Sequence, residues 1–195
     1  MGEHQWNRTY SYNNVQQGVA IALDSLNNIY IGGMTTNISM QDVDMLLLKY
    51  NQTGTLLWDR IWGGNGGIYL IYDIALDSDD NIYVVGGVNK TATKDYDFSL
   101  NQFDNSGEQQ FNLTWGGNKK DSYVAITIDL TDNIYLTGMR NGSKLYIEKY
   151  SKDTITQNGQ LSDNGIPFGN NFIIVITFSV VTLIIVDLKR RKLKK

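Results

Sequence analysis

The sequence predicts an all-β protein with about three four-stranded antiparallel repeats, followed by one C-terminal transmembrane helix. Three observations lead to this fold class. A pattern recurs at intervals of 53 and 52 residues. Within it, short β-branched and aromatic runs alternate with turns rich in Gly, Asn and Asp, and no helical period interrupts them. The longest uncharged apolar run lies near the C-terminus, just before a basic cluster.

The repeat is clearest in residues 74–86, which read IALDSDDNIYVVG and have near copies at 21–33 and 126–138. Each copy is an apolar run, an acidic and Asn-rich turn, and a second apolar run. This is the pattern of two buried strands joined by a tight hairpin. The framework that repeats is Asp24, Asn28 and Gly33, then Asp77, Asn81 and Gly86, then Asp129, Asn133 and Gly138.

A second motif, built on aromatic residues, keeps the same spacing. Its two aromatic positions are Trp6, Trp58 and Phe111, and then Tyr10, Trp62 and Trp115. The middle repeat therefore reads as four strands, at residues 72–77, 82–86, 97–103 and 108–115. The first two strands carry unbroken apolar runs and should be buried on both faces, whereas the outer two should be partly solvated. Tandem units of this kind are typical of β-propeller blades, which bury one another's faces.

The repeats occupy residues 1–153, as an outer strand at 3–10 and repeats at about 11–64, 65–117 and 118–153. The chain thus begins with an outer strand, and its third repeat ends without one. Three blades are also fewer than the roughly four to eight of a propeller ring. Either the chain is the C-terminal part of a longer propeller or lacks its start, or two chains form a six-bladed ring in which each lends residues 3–10 to the other.

The run Trp62-Gly63-Gly64, the hairpin at 74–86, the segment DYDFSLNQFDNSGEQQF and Trp115-Gly116-Gly117 together resemble the SBBP-type β-propeller repeat of prokaryotic surface proteins. The resemblance covers approximately residues 2–153 and implies a propeller at the cell surface. It carries no catalytic signature. The first copy departs from it, because Ser11-Tyr12 stand in place of Gly63-Gly64, and the third copy is about five residues shorter before Lys149.

After a polar linker at 154–165, an uncharged apolar run begins at Phe172 and ends at Val186. As a helix it would rise only about 22 Å against a bilayer core of roughly 30 Å, so the predicted span is extended to 166–188. The basic residues of 189–195 follow at once. By the positive-inside rule, this tail is cytoplasmic and the propeller lies outside a cell membrane that the chain crosses once. A buried strand or core helix is the alternative for this run.

Residues 77–81 resemble the start of a calcium loop, with Asp77, Asp79 and Asn81 as candidate ligands. The downstream Gly and Glu of such loops are missing, and the other two copies lose acids, so the shared element is turn chemistry. The tryptophans, including Trp58, Trp62 and Trp115, could stack on sugars, but their repeat-locked positions favour packing between blades.

No catalytic group or cofactor site is predicted, because there is no cysteine and only one histidine, His4. The acidic main body argues against nucleic acid. We therefore expect a non-enzymatic surface protein for adhesion, envelope structure or recognition of a protein or glycan. The alternatives are a carbohydrate-active or other propeller enzyme with its catalytic residues elsewhere, and a tail-anchored cytoplasmic propeller.

Six sequons precede the apolar run and fit an exported, glycosylated domain. Their acceptor residues are Asn7, Asn37, Asn51, Asn89, Asn112 and Asn141.

Overall fold

The fold is all-β, as the sequence predicts. A computed structural model describes residues 2–11, 15–37, 42–64, 66–89, 96–115, 122–140 and 144–152, and these ranges contain eleven strands and no α-helix. The strands are β1 (Val15–Leu23), β2 (Ile29–Asn37), β3 (Asp42–Tyr50), β4 (Leu56–Trp62), β5 (Ile68–Leu76), β6 (Ile82–Asn89), β7 (Asp97–Phe103), β8 (Gln109–Trp115), β9 (Ser122–Ile128), β10 (Ile134–Arg140) and β11 (Lys144–Tyr150).

Each repeat forms an antiparallel meander. The first meander is β1–β4, the second is β5–β8 and the third is β9–β11. A single parallel bridge between Val43 and Ile68 joins the first two into one eight-stranded sheet, while the third is a separate three-stranded sheet. Neither sheet closes on itself.

The predicted outer strand at residues 3–10 differs from what is observed. Residues 2–11 are described, yet they contain no strand. A strand needs a neighbour to complete its ladder of backbone hydrogen bonds, and no described strand pairs with this segment. The segment nevertheless has defined side-chain contacts, which are given below.

The repeated glycine of the framework is explained by close backbone contact at a β-bulge. A Cβ atom at Gly33 would lie 2.2 Å from the carbonyl oxygen of Gln17, and one at Gly86 would lie 1.8 Å from that of Leu70. The strand register shifts beside both positions. Any larger residue here would push the first two strands of the meander apart.

The main core lies between the first and second meanders. Its buried members on the first meander are Tyr30, Met45 and Leu47, which face a larger group on the second: Ile71, Ile74, Ile82, Val84, Val88 and Phe103. Ile74 sits against the backbone of β2, because a Cβ at Gly32 would be only 2.9 Å from its Cγ2 atom. In the same way β9 of the third meander packs against β5 and β6.

Among the described residues no helix is long and apolar enough to cross a membrane. The predicted span at 166–188, its tail at 189–195 and the linker at 154–165 lie outside the described residues.

Candidate functional site: the acidic turns and the two open faces

The three acidic turns have one common geometry, set by the first aspartate. In the first turn, Asp24 Oδ1 accepts hydrogen bonds from the backbone N–H groups of Leu26 (3.0 Å) and Asn28 (2.7 Å). Asp24 Oδ2 accepts from the Asn28 side chain (2.9 Å) and from the Tyr30 hydroxyl (3.2 Å). This carboxylate is therefore fully used by its own turn and by the following strand.

The second and third turns repeat this arrangement. Asp77 accepts from Asn81 through its backbone (2.9 Å) and its side chain (2.9 Å). Asp129 does the same with Asn133 at 3.0 and 2.9 Å. The framework positions Asp24, Asn28, Asp77, Asn81, Asp129 and Asn133 thus all serve to build the turn.

Each turn also has one residue with positive φ, immediately before the asparagine. These are Asn27 (59°), Asp80 (60°) and Asp132 (60°). Asn and Asp adopt this left-handed region more readily than other non-glycine residues. Asp80 is thus a residue that builds the turn and not merely one of the acids that vary between copies. The signal that reveals its role is that all three copies have Asn or Asp in this column.

Neighbouring turns are joined by a serine and an aspartate. The backbone N–H and hydroxyl of Ser25 donate to the carboxylate of Asp80 at 2.8 and 2.7 Å. Ser78 makes the same two bonds to Asp132 at 2.9 and 2.7 Å. The acidic turns consequently form one continuous edge that runs from the first meander to the third.

The pKa values of these carboxyl groups reflect their hydrogen bonds. Burial would raise the pKa of Asp24, but the bonds from Asn28 and Leu26 outweigh it and hold the pKa below its ordinary value. At Asp129 the bonds from Asn133 lower the pKa strongly, and at Asp132 those from Ser78 do so. All three aspartates are therefore ionised at neutral pH.

The calcium candidates lie beside a lysine. Lys152 Nζ is 2.6 Å from Asp79 Oδ2, 3.0 Å from Asp132 Oδ2 and 3.4 Å from Asp77 Oδ2. The hydrogen bond to Asp79 is the main reason why the pKa of Lys152 is raised. An ammonium group thus occupies the place where a cation would neutralise these acids. Within the described ranges, no group of three or more His, Cys, Asp or Glu side chains is placed to hold a metal ion.

A second lysine lies beside the first acidic turn and comes from the same meander as that turn. Lys49 is buried, lies 3.4 Å from Asp24 Oδ2 and 4.9 Å from the centre of the Tyr30 ring, and donates to Asn105 of the second meander. In the second meander the position of Lys49 is taken by Gln102, which donates to Tyr83 (3.0 Å). Each of the two internal contacts between meanders therefore contains one lysine and one amide side chain.

Two of the tryptophans pack at the contact between meanders. Trp62 lies against Phe103, with ring centres 4.5 Å apart, and Trp58 meets Tyr30 edge to face at 5.9 Å. Both adjoin the main core. The side chain of Trp115 is outside the described residues. For Trp58 and Trp62 this placement favours packing over a sugar-binding surface.

The N-terminal segment, residues 2–11, contacts the first meander as β4 contacts the second. Trp6 Nε1 donates to the Gln52 carbonyl (3.2 Å) and Arg8 Nε to the Gly54 carbonyl (2.9 Å). The residues 52 positions later repeat these bonds: Trp58 donates to Asn105 (3.3 Å) and Arg60 to Gly107 (3.2 Å). The segment thus lies where the fourth strand of a preceding meander would lie.

A groove of about 420 Å³ separates this segment from the first meander, and Trp6, Tyr10, Ile21, Ile31, Leu48 and Tyr50 are among its lining residues. Ile21 is 69% exposed, whereas its counterparts Ile74 and Ile126 are 5% and 7% exposed. On the third meander, Leu145 and Ile147 are also exposed, at 85% and 67%, while the corresponding Met45 and Leu47 are buried. The part of the array that the structure describes therefore has two open apolar faces, one at each end.

The sequons occupy different environments. Asn7 and Asn112 are exposed, Asn51 is half-buried in the turn after β3, and Asn89 is buried in β6. The side chain of Asn37 and the whole of Asn141 lie outside the described residues, and His4 is exposed in the N-terminal segment.

No protein-family model matches the chain, and no curated protein matches it either.

Proposed function

We propose that the chain is a β-propeller repeat protein of the cell surface, of the SBBP type, anchored by a membrane-spanning helix at residues 166–188. The observation that carries this proposal is the equivalent packing of successive meanders. β5 packs on the first meander, and β9 packs on the second. Four-stranded meanders that pack face to face in this way are the building units of propellers.

A recognition role fits the chemistry better than catalysis. The framework carboxylates are consumed by their turns, and Tyr30 and Tyr83, which bond to two of them, have pKa values raised first by burial. Tyr30 and Tyr83 therefore stay protonated near neutral pH and are poor groups for proton transfer there. We propose that the protein binds a protein or glycan partner without chemical conversion.

The binding determinant lies among residues that differ between copies. Asp79 and Lys152 are such a pair, since the equivalents of Asp79 are Leu26 and Thr131, and those of Lys152 are Gln52 and Asn105. Both lie on the edge formed by the acidic turns. A charged pair set into an otherwise self-satisfied edge supplies a donor and an acceptor for sugar hydroxyls or polar peptide groups.

The topology part of the proposal is tested by cysteine labelling, since the chain has no cysteine of its own. Glu108 is exposed in a turn, and Lys195 lies in the basic tail. In intact cells, a membrane-impermeant maleimide should label the full chain carrying Glu108→Cys and should label Lys195→Cys only after lysis. Labelling of Lys195→Cys first, or of both variants only after lysis, would contradict a surface location.

The recognition part is tested by replacing the copy-specific pair with the residues of the other copies, Asp79→Thr and Lys152→Asn. The full chain should bind to glycan arrays or to an envelope fraction, and the double variant should bind at least tenfold more weakly. Glu108→Cys serves as a control that should leave binding unchanged. Equal binding by the double variant and the unmodified chain would remove the pair from the binding surface.

A further inference from the structure

We propose that the two open faces are the halves of one interface, and that a second copy of this chain closes them into a ring of two chains. The inference rests on the propeller arrangement proposed above. In this ring the face of the first meander around Ile21 packs on the third-meander face of the other copy, which carries Thr137, Leu145 and Ile147. The two internal contacts between meanders serve as templates, because repeat spacing relates each residue at the ends of the array to one inside it.

The first match is between the apolar residues of the two open faces and those of the internal contact between the first and second meanders. In the internal contact, Ile74 inserts against Gly32, Met45 and Leu47 of the preceding meander. Ile21 stands one repeat before Ile74, and Thr137, Leu145 and Ile147 stand two repeats after Gly32, Met45 and Leu47, so the equivalent contact places Ile21 against these three residues of a second copy. β10 and β11 pair Thr137 with Ile147 just as β2 and β3 pair Gly32 with Leu47. Exposed apolar faces of this kind mark interaction sites.

The polar residues match as well. One internal contact joins Lys49 to Asn105, and the other combines Gln102 with Lys152. At the proposed contact the corresponding residues are Lys149, which already lies 5.0 Å from the centre of the Tyr135 ring, and Gln52 of the second copy. The contact between copies would therefore again contain one lysine and one amide, so that no lysine is buried against another.

The serine and aspartate that join neighbouring turns give a third match. Ser25 pairs with Asp80, and Ser78 pairs with Asp132. At the two ends of the array, Leu130 stands in the serine position and Asn27 in the aspartate position, so both residues of the pair are replaced together. Neither a serine nor an aspartate is thereby left without its partner at the contact between copies. The Asn27 amide oxygen remains able to accept a bond from the backbone N–H of Leu130, as Asp80 does from Ser25.

The second copy also supplies a neighbouring segment for β11 of the third meander. Within the described residues, β11 pairs with β10 alone. Residues 3–10 already lie against the first meander through Trp6 and Arg8, in the position of a preceding fourth strand. In the two-chain ring this segment would run beside β11 of the other copy and gain the ladder of hydrogen bonds that it now lacks. No rearrangement of the first meander is needed.

Engineered cysteines test this contact in the full chain. The pair Ile21→Cys and Thr137→Cys is equivalent to Ile74 and Gly32, whose close approach fits the roughly 4 Å Cβ separation of a disulfide. After mild oxidation the double variant should run as one discrete dimer on a non-reducing gel. Mixing the two single variants should give a dimer, and either single variant alone should give none.

A matched internal pair, Val85→Cys and Ile126→Cys, controls for the packing of the meanders. It should form a link within one chain. Suppose that this link forms. The two-chain ring is then wrong if the Ile21–Thr137 pair forms no dimer, if it links within one chain, or if it gives a ladder of larger species, while the propeller packing stands. If the internal pair fails to link, the packing of the meanders is wrong, and the proposed propeller falls with it.

A second measurement does not depend on cysteines. Lys149→Gln removes the lysine of the proposed contact and should weaken dimer formation about tenfold in sedimentation or light scattering. Adding Gln52→Lys restores one lysine and one amide, as in the contact of Gln102 with Lys152, and should recover most of the loss. Absence of a dimer in the unmodified chain, or no recovery in the double variant, would overturn the inference.

Discussion

The same substitution at equivalent positions of two repeats, Ile74→Ala and Ile21→Ala, should have very different effects on stability. Ile74 is 5% exposed between two meanders and Ile21 is 69% exposed at the open face. Removing three carbon atoms from a buried side chain costs about 2.4 kcal/mol in transfer free energy at ~0.8 kcal/mol per carbon. A residual cavity adds to this, so Ile74→Ala should lose about 3 to 4 kcal/mol of unfolding free energy.

Ile21→Ala should change the unfolding free energy by about 0.5 kcal/mol or less while the chain is monomeric. Urea unfolding followed by tryptophan fluorescence measures both, with the full chain in mild non-ionic detergent at low protein concentration. The two variants carry the same chemical change in the same repeat position, so each controls for the other. Similar losses in the two variants would refute the assignment of one face as buried and the other as open.

Three further predictions concern the turns and the bulge. Gly86→Ala should destabilise the fold by more than about 2 kcal/mol, because its Cβ would lie 1.8 Å from the Leu70 carbonyl oxygen. Gly2→Ala, whose Cβ would have no atom within 4 Å, should be neutral in the same unfolding assay. Equal effects of the two substitutions would contradict the bulge geometry. Asp24 has a lowered pKa in the folded state, so the stability that it contributes is present above the unfolded pKa near 3.8 and is lost as pH falls below that value. Asp24→Asn should therefore reduce the fall of the melting temperature at acid pH. An unchanged fall would contradict this role of Asp24. Millimolar calcium should leave the melting temperature of the unmodified chain unchanged, since Lys152 already lies among Asp77, Asp79 and Asp132; a rise with calcium would contradict this placement of the lysine.

Local patterns in the sequence predict a large part of the fold. β7 has the predicted bounds, and the hairpin turn is built by the predicted Asp77 and Asn81. The reason is that a tight turn and a buried strand are specified by neighbouring residues. The β5 strand begins earlier than predicted, at Ile68, because its first residues pair with the end of β6 rather than following an apolar run.

Contacts between repeats could not be predicted in the same way. Ser25 with Asp80, Lys49 with Asn105 and Lys152 with Asp79 join residues that are far apart in the chain. A comparison of columns shows which residues vary, but not which of them meet. The segment at residues 3–10 shows the same limit of local patterns. Its sequence matches an outer strand, but a strand forms only where a second strand pairs with it, and the segment's own sequence does not say whether one does.

A two-chain ring requires that the open faces at the two ends of the array belong to one interface. Native mass spectrometry of the full chain released from detergent micelles tests this requirement. The chain has a mass of 22.0 kDa, and we expect particles that contain two chains. Ile21→Asp, which places a charge in the proposed contact, should reduce them to single chains. Particles of one chain in the unmodified protein, or two-chain particles that persist in Ile21→Asp, would contradict it.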